Sequence, residues 1–253
     1  MSDKFNADDY YFLKFMEQFL TKREYDTRRN IASISSVCET LANGGKNLSP
    51  DDVTHCLNMI MTSCCSMMKT TELYTKIITA LFNSDIVFSS FDLNKYMKVF
   101  CSSCNETLGS TCKVDYVPSD DIAYISTNND FFEYILLGSV RRSVISGARI
   151  LEISSEKLQN NDIVITFRVI ESDPAADLSL FNDIDLEEFV GINTRLAEKI
   201  NSHFSYESGV IQLKVDYRPS DGIVFNSPEV TGNPNTMTPF HSMLADISGY
   251  EFY

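Results

Sequence analysis

The stretch Asn43-Gly44-Gly45-Lys46-Asn47-Leu48-Ser49-Pro50-Asp51-Asp52 closes one helical pattern and opens another. Asn-Gly-Gly is a C-terminal stop, because glycine enters the left-handed conformation that ends a last helical turn without a Cβ clash. Ser49 is a natural N-cap, Pro50 suits the first helical position, and Asp51 and Asp52 complement the positive end of the helix dipole. Upstream, from Arg23 onward, Ile31, Ile34, Val37, Cys38 and Leu41 recur at helical spacing. Downstream, Val53, Leu57, Ile60, Cys64, Met67, Ile78 and Leu81 carry a long helix to about Phe82. Two helices joined by so short a turn form an antiparallel hairpin. Neither hides its apolar stripe alone, so the hairpin is expected to pair with a second copy of itself as a homodimeric bundle.

Residues 7–20 contain Tyr10, Tyr11, Leu13, Phe15, Met16, Phe19 and Leu20 without Gly or Pro, which predicts a further helix with a broad apolar face. Beyond residue 84 the texture changes. A short amphipathic helix at 91–103 is followed by strands at 113–117 and 123–126 and a helix at 130–143. Strands at 150–154 and 162–171, a polar stretch at 172–185, a helix at 191–203, and strands at 209–217 and 222–225 complete the pattern. The late strands run as a meander, so the fold class is α+β: a helical-hairpin dimerisation bundle followed by an α/β sandwich with helices on one face of a mixed sheet. The parts are 1–84 (first helix and hairpin), 85–226 (sandwich) and 227–253, a tail that is either a flexible end or a cover for exposed surface.

The chain has 253 residues, 43% of them hydrophobic, enough for one large core or two modest ones. A formal charge of −14 argues against nucleic acid as a partner, since affinity for phosphate backbones comes from Lys and Arg releasing counterions. No apolar run approaches the ~20 residues that cross a bilayer, so no integral membrane segment is expected. The acidic start MSDKFNADDY is unlike a signal peptide, and the expected location is cytoplasmic. Seven cysteines, an odd number, then read as reduced thiols. Cys101 and Cys104 form a C-x-x-C with Cys112 following, but no fourth ligand stands at zinc spacing, so they read as small buried hydrophobes and no metal is expected.

This order of parts resembles the cytoplasmic core of a sensor histidine kinase, a dimerising hairpin followed by an ATP-binding domain of the Hsp90-like (GHKL) kind, over residues 24–225. Four boxes carry the resemblance. Tyr25-Asp26-Thr27-Arg28-Arg29-Asn30-Ile31-Ala32-Ser33-Ile34 resembles the phosphoacceptor box H-E-L-R-x-P-L-x-x-I, with Tyr25 on the histidine and Asp26 on the acid that serves as general base. Tyr134-Ile135-Leu136-Leu137-Gly138-Ser139-Val140-Arg141-Arg142-Ser143-Val144 resembles V-L-L-N-L-L-x-N-A-I, with Gly138 on the first asparagine and Arg142 on the second, the magnesium ligand. Ile170-Glu171-Ser172-Asp173-Pro174-Ala175-Ala176 resembles V-D-N-G-x-G-I, so Glu171 takes the place of the adenine-binding aspartate, and Asp173 and Ala175 replace glycines. Gly191-Ile192-Asn193-Thr194-Arg195-Leu196 resembles G-L-G-L-x-L, keeping Gly191 and placing Asn193 on the second glycine. In this reading Gly191 opens a helix whose free amides remain available to an anion.

The resemblance implies Mg-ATP chemistry, and the residues present argue against it. A guanidinium has no lone pair for a metal but can touch a phosphate directly. A phenol with its usual pKa of ~10 is a poor nucleophile. Of three histidines, His203 closes the predicted helix at 191–203 and His241 lies in the tail, leaving His55 as the rival phosphoacceptor. The reading is therefore a non-catalytic dimeric scaffold or regulator of bacterial two-component-type signalling. It would dock a response-regulator-like or kinase protein, with no cofactor expected. The alternative is a divergent active ATP-dependent histidine kinase or phosphotransferase that uses ATP and Mg. In a third reading the remnant pocket, marked by Arg142, Glu171, Asp173, Ala175, Gly191 and Asn193, holds a different small molecule.

Overall fold

The computed structural model describes residues 7–44, 48–82, 86–118, 124–158, 162–173, 186–216 and 238–248. The described residues up to Thr71 form one compact unit and those from Glu72 onward a second.

The first unit is the hairpin. Helix α1 (Ala7–Gly44) runs unbroken for 38 residues, where the sequence predicts one helix at 7–20 and another from 23. The reason is the absence of any Gly or Pro before Gly44. The apolar residues shift to a different stripe, but nothing interrupts the backbone ladder. Helix α2 (Pro50–Phe82) returns antiparallel, because Asn30 Nδ2 donates to Ser66 Oγ at 3.0 Å and both residues stand about fifteen positions from the turn. Val37, Cys56 and Cys65 are buried in this unit. The start of α2 is a reciprocal capping box: Asp52 N donates to Ser49 Oγ at 3.1 Å, and Ser49 N donates to Asp52 Oδ2 at 3.1 Å. Hydrogen bonds from Ser49 hold the Asp52 carboxyl below its usual pKa.

The second unit contains strand β1 (Ser89–Asp92), helix α3 (Leu93–Leu108), strands β2 (Lys113–Val117) and β3 (Tyr124–Thr127), and helix α4 (Asn129–Ile145). Strands β4 (Ala148–Lys157) and β5 (Asp162–Ser172), helix α5 (Leu186–Lys199), strands β6 (Ser202–Glu207) and β7 (Val210–Asp216), and helix α6 (Pro239–Leu244) follow. A five-stranded sheet in the order β2-β4-β5-β7-β6 is mixed, with β2 parallel to β4 and the other pairs antiparallel. Strands β1 and β3 form a separate antiparallel pair. Alternation decides the buried face: Ile163, Ile165 and Phe167 of β5 are buried, and so are their partners Val215, Leu213 and Ile211 on β7. Phe132 and Leu136 of α4 and Ile192 and Leu196 of α5 complete the core on that face.

Several sequence-based boundaries move. The segment 91–92 begins as strand, and Asp92 then caps α3 by accepting from Lys95 N at 3.1 Å. Helix α5 starts earlier than 191 and stops at Lys199; Asn201 turns the chain at φ 54°, and His203 lies in β6 opposite Lys214 instead of closing the helix. The strand expected at 222–225 lies outside the described residues.

Within the tail, 238–248 covers apolar surface. Phe240, Met243, Leu244 and Ile247 are buried. The Phe240 ring lies 5.4 Å from that of Phe100 in an aromatic cluster with Tyr96, Phe91 and Phe132. Thr238 caps α6 by accepting from His241 N. Among the described residues no helix is long and apolar enough to cross a membrane.

Candidate functional site

In the hairpin, Tyr25 is 68% exposed and belongs to no core. Asp26 beside it is mostly buried and already engaged, by Arg23 at 3.7 Å and Arg29 at 3.5 Å. Arg28 pairs with Glu24 at 2.6 Å on the exposed side. His55 is exposed in the first turns of α2. With Asn30 opposite Ser66, Tyr25 and His55 stand about 16 residues apart along the hairpin, about 24 Å at 1.5 Å per residue. The two candidate acceptors therefore do not share a site. Ile31, Leu57 and Met59 are exposed apolar residues on the same unit.

In the second unit the consecutive arginines of α4 diverge, as helical geometry requires. Arg141 is 3% exposed; its guanidinium pairs with Asp246 and donates to Met243 O at 2.6 Å. Arg142 is half-buried and lines a cavity of about 320 Å³. Beneath Gly138, α4 meets α5 directly: a Cβ at Gly138 would lie 3.7 Å from both Phe189 and Asn193. Asn193 is 1% exposed; its Nδ2 donates to Phe189 O at 2.8 Å, and its Oδ1 has no hydrogen-bond partner among the described residues. Gly191 lies inside α5, which begins at Leu186, so it does not present a helix N-terminus to a ligand as the sequence suggested.

Glu171 is exposed at the end of β5. Asp173 is tied down twice: Arg149 Nη2 donates to its carboxylate at 2.9 Å, and its backbone N donates to Gly147 O at 2.9 Å. Ala175 lies outside the described residues. Of the marked positions among the described residues, only Arg142 lines the cavity. The other described walls come from the end of β5 and the β6–β7 turn, including Ser172, Tyr206 and Ser208. These side chains meet only through tertiary packing; the one sequence signal among them is the turn at Ser208-Gly209.

The three thiols of the C-x-x-C and Cys112 are buried and inert by position. Burial pushes Cys101 up to about 12 and Cys112 up to about 11, and raises Cys104 well above its ordinary value. Among the described residues no group of three His, Cys, Asp or Glu is arranged to hold a metal.

No family model matches the chain, and no curated protein sequence does. Solved structures do. The histidine kinase AdeS of Acinetobacter baumannii superposes with a TM-score of 0.55 at 12% identity, over 76% of this chain and 97% of that one. ThkA, solved in complex with the response regulator protein TrrA, gives a TM-score of 0.56 at 12% identity, over 84% of this chain and 65% of that one. Full-length ShkA, solved in complex with AMPPNP, gives 0.52 at 11% identity, over 81% and 46%. The chain has the histidine kinase core fold.

Within that fold, the position the resemblance gives to the magnesium ligand is Arg142. Magnesium needs hard oxygen ligands in octahedral array. The described walls around Arg142 hold no carboxylate or carboxamide, and a guanidinium cannot coordinate. This donor set does not fit magnesium.

Proposed function

We propose that the chain is a histidine-kinase-like dimeric scaffold or regulator, without phosphotransfer activity, in two-component-type signalling of the bacterial cytoplasm. What supports this reading is that a cation stands where the resemblance puts the magnesium ligand: Arg142 lines the cavity, would repel magnesium and offers it no lone pair. The phosphoacceptor end agrees. Autophosphorylation needs a nucleophile with a free base beside it. Here the aligned acceptor is a phenol, and the adjacent Asp26 is held by two arginines.

Docking needs none of this chemistry, since it depends on shape and apolar contact. The exposed Ile31, Leu57 and Met59 suit a hairpin that pairs with a second copy or receives a partner. A response regulator is the favoured kind of partner because ThkA, which shares the fold, was solved with one.

Incubating the full chain with Mg and γ-labelled ATP tests the reading against an active kinase. We expect no protein-bound label. Acid-labile phosphate on His55, or stable phosphate on Tyr25, would overturn the scaffold in favour of the divergent enzyme.

A further inference from the structure

The cavity at the end of α4 has an electrostatic character opposite to that of the chain. On a protein of formal charge −14, its described walls contain two arginines, four serines and a tyrosine, and no carboxylate. Arg142 brings a fixed positive charge into that wall. Its Nε is out of contact with solvent and has no hydrogen-bond partner among the described residues, so the contact to a ligand in the cavity falls to the outer end of the guanidinium. Ser143 and Ser146 donate their hydroxyl hydrogens to carbonyls one turn back, Ser139 O and Arg142 O, each at 2.9 Å. That leaves Ser172, Tyr206 and Ser208 as the lining hydroxyl residues with no bond to a helix carbonyl.

Val169, Val210 and Ile211 supply an apolar wall. A volume of about 320 Å³ is the small end of the range for ligand sites, about 300–1,000 Å³. It suits a compact organic body carrying one anionic group. A fork of guanidinium donors flanked by several hydroxyls matches the three oxygens and near-double charge of a phosphomonoester better than a carboxylate.

We propose that this cavity is a metal-independent site for a small phosphomonoester, its phosphate held directly on Arg142 and its apolar body against Val169 and Val210. Where the fold family grips phosphate through magnesium, this chain would grip it through a guanidinium. The inference deepens the scaffold reading by giving the scaffold a small-molecule input, and it rests on the absence of magnesium ligands among the described residues around Arg142.

The test is titration of the full chain with phenyl phosphate in EDTA, followed by NMR, with inorganic phosphate as the second probe. We expect saturable binding of phenyl phosphate, weaker binding of inorganic phosphate, and a loss of affinity of about tenfold or more in Arg142→Met, the size expected for one charge-assisted contact. Arg142→Lys keeps the charge and the helix, so it should retain part of the affinity even if Arg142→Met folds poorly. Absence of saturable binding at millimolar phenyl phosphate, equal affinity in both variants and the parent, or binding that requires added magnesium would each overturn the proposal. The two readings fail separately: absence of phenyl phosphate binding leaves the scaffold standing, and label transfer from ATP removes the scaffold without touching binding measured in EDTA.

Discussion

Replacing Asp246 with asparagine is expected to destabilise the α+β unit by about 3–5 kcal/mol, the cost of leaving a buried charge without its partner. Arg141 and Asp246 have side chains 3% and 7% exposed, and they meet in a two-pronged pair: one prong at Nη1 and Oδ1, the other at Nη2 and Oδ2 at 2.9 Å. Met243 O takes a further bond from the same guanidinium at 2.6 Å. With the carboxylate neutralised, Arg141 keeps its charge but cannot reach water without unseating the segment 238–248 from α3 and α4. Urea denaturation followed by circular dichroism reads the loss as a lower midpoint. The double variant Arg141→Met with Asp246→Leu should recover most of it, because an apolar pair of similar size replaces a buried ion pair at little cost. A loss below about 1 kcal/mol in Asp246→Asn would mean that the pair is solvated and the tail only loosely laid down.

Gly147→Ala is expected to cost about 3 kcal/mol and to disturb the end of β5. Gly147 sits at φ +93°, which L residues avoid, and a Cβ there would lie 2.9 Å from Asp173 O, closer than real contacts allow. Its own backbone holds the turn, with N donating to Val144 O at 2.8 Å and O accepting from Asp173 N at 2.9 Å. The methyl must therefore push Asp173 away and break the bond that fixes it, and β4 already carries a register irregularity beside Ala148. Thermal melting should show a clearly lower Tm. An unchanged Tm would mean that the segment yields freely and that Asp173 is not held as described.

The hairpin was legible because its signals are local. Stop, cap and acidic first turn all lie within 43–52, and Ser49 caps α2 as the sequence implied, with Asp52 closing the box in return. The continuity of α1 was not legible, since two apolar stripes on different faces look like two helices and only the absence of a breaker says otherwise. Strand β6 was hidden because only Phe204 of Ser202–Glu207 is buried, too weak an alternation to announce a half-buried strand. For the candidate site, adjacent positions on one helix place Arg141 and Arg142 on different sides. Helical geometry did not foretell which is buried, because the deciding partner, Asp246, is 105 residues away. The cavity was invisible for the same reason: the ends of α4 and β5 and the β6–β7 turn are brought together only by the sheet.

We propose that the histidine kinase core fold persists here without its hold on metal-chelated triphosphate. Electron paramagnetic resonance of Mn(II)–ATP titrated with the full chain tests it most directly, with manganese standing in for magnesium. The account predicts a spectrum unchanged by millimolar protein. A protein-dependent Mn(II)–ATP signal that vanishes on replacing Arg142 or Asn193 would place a working metal–nucleotide site in this cleft and contradict it.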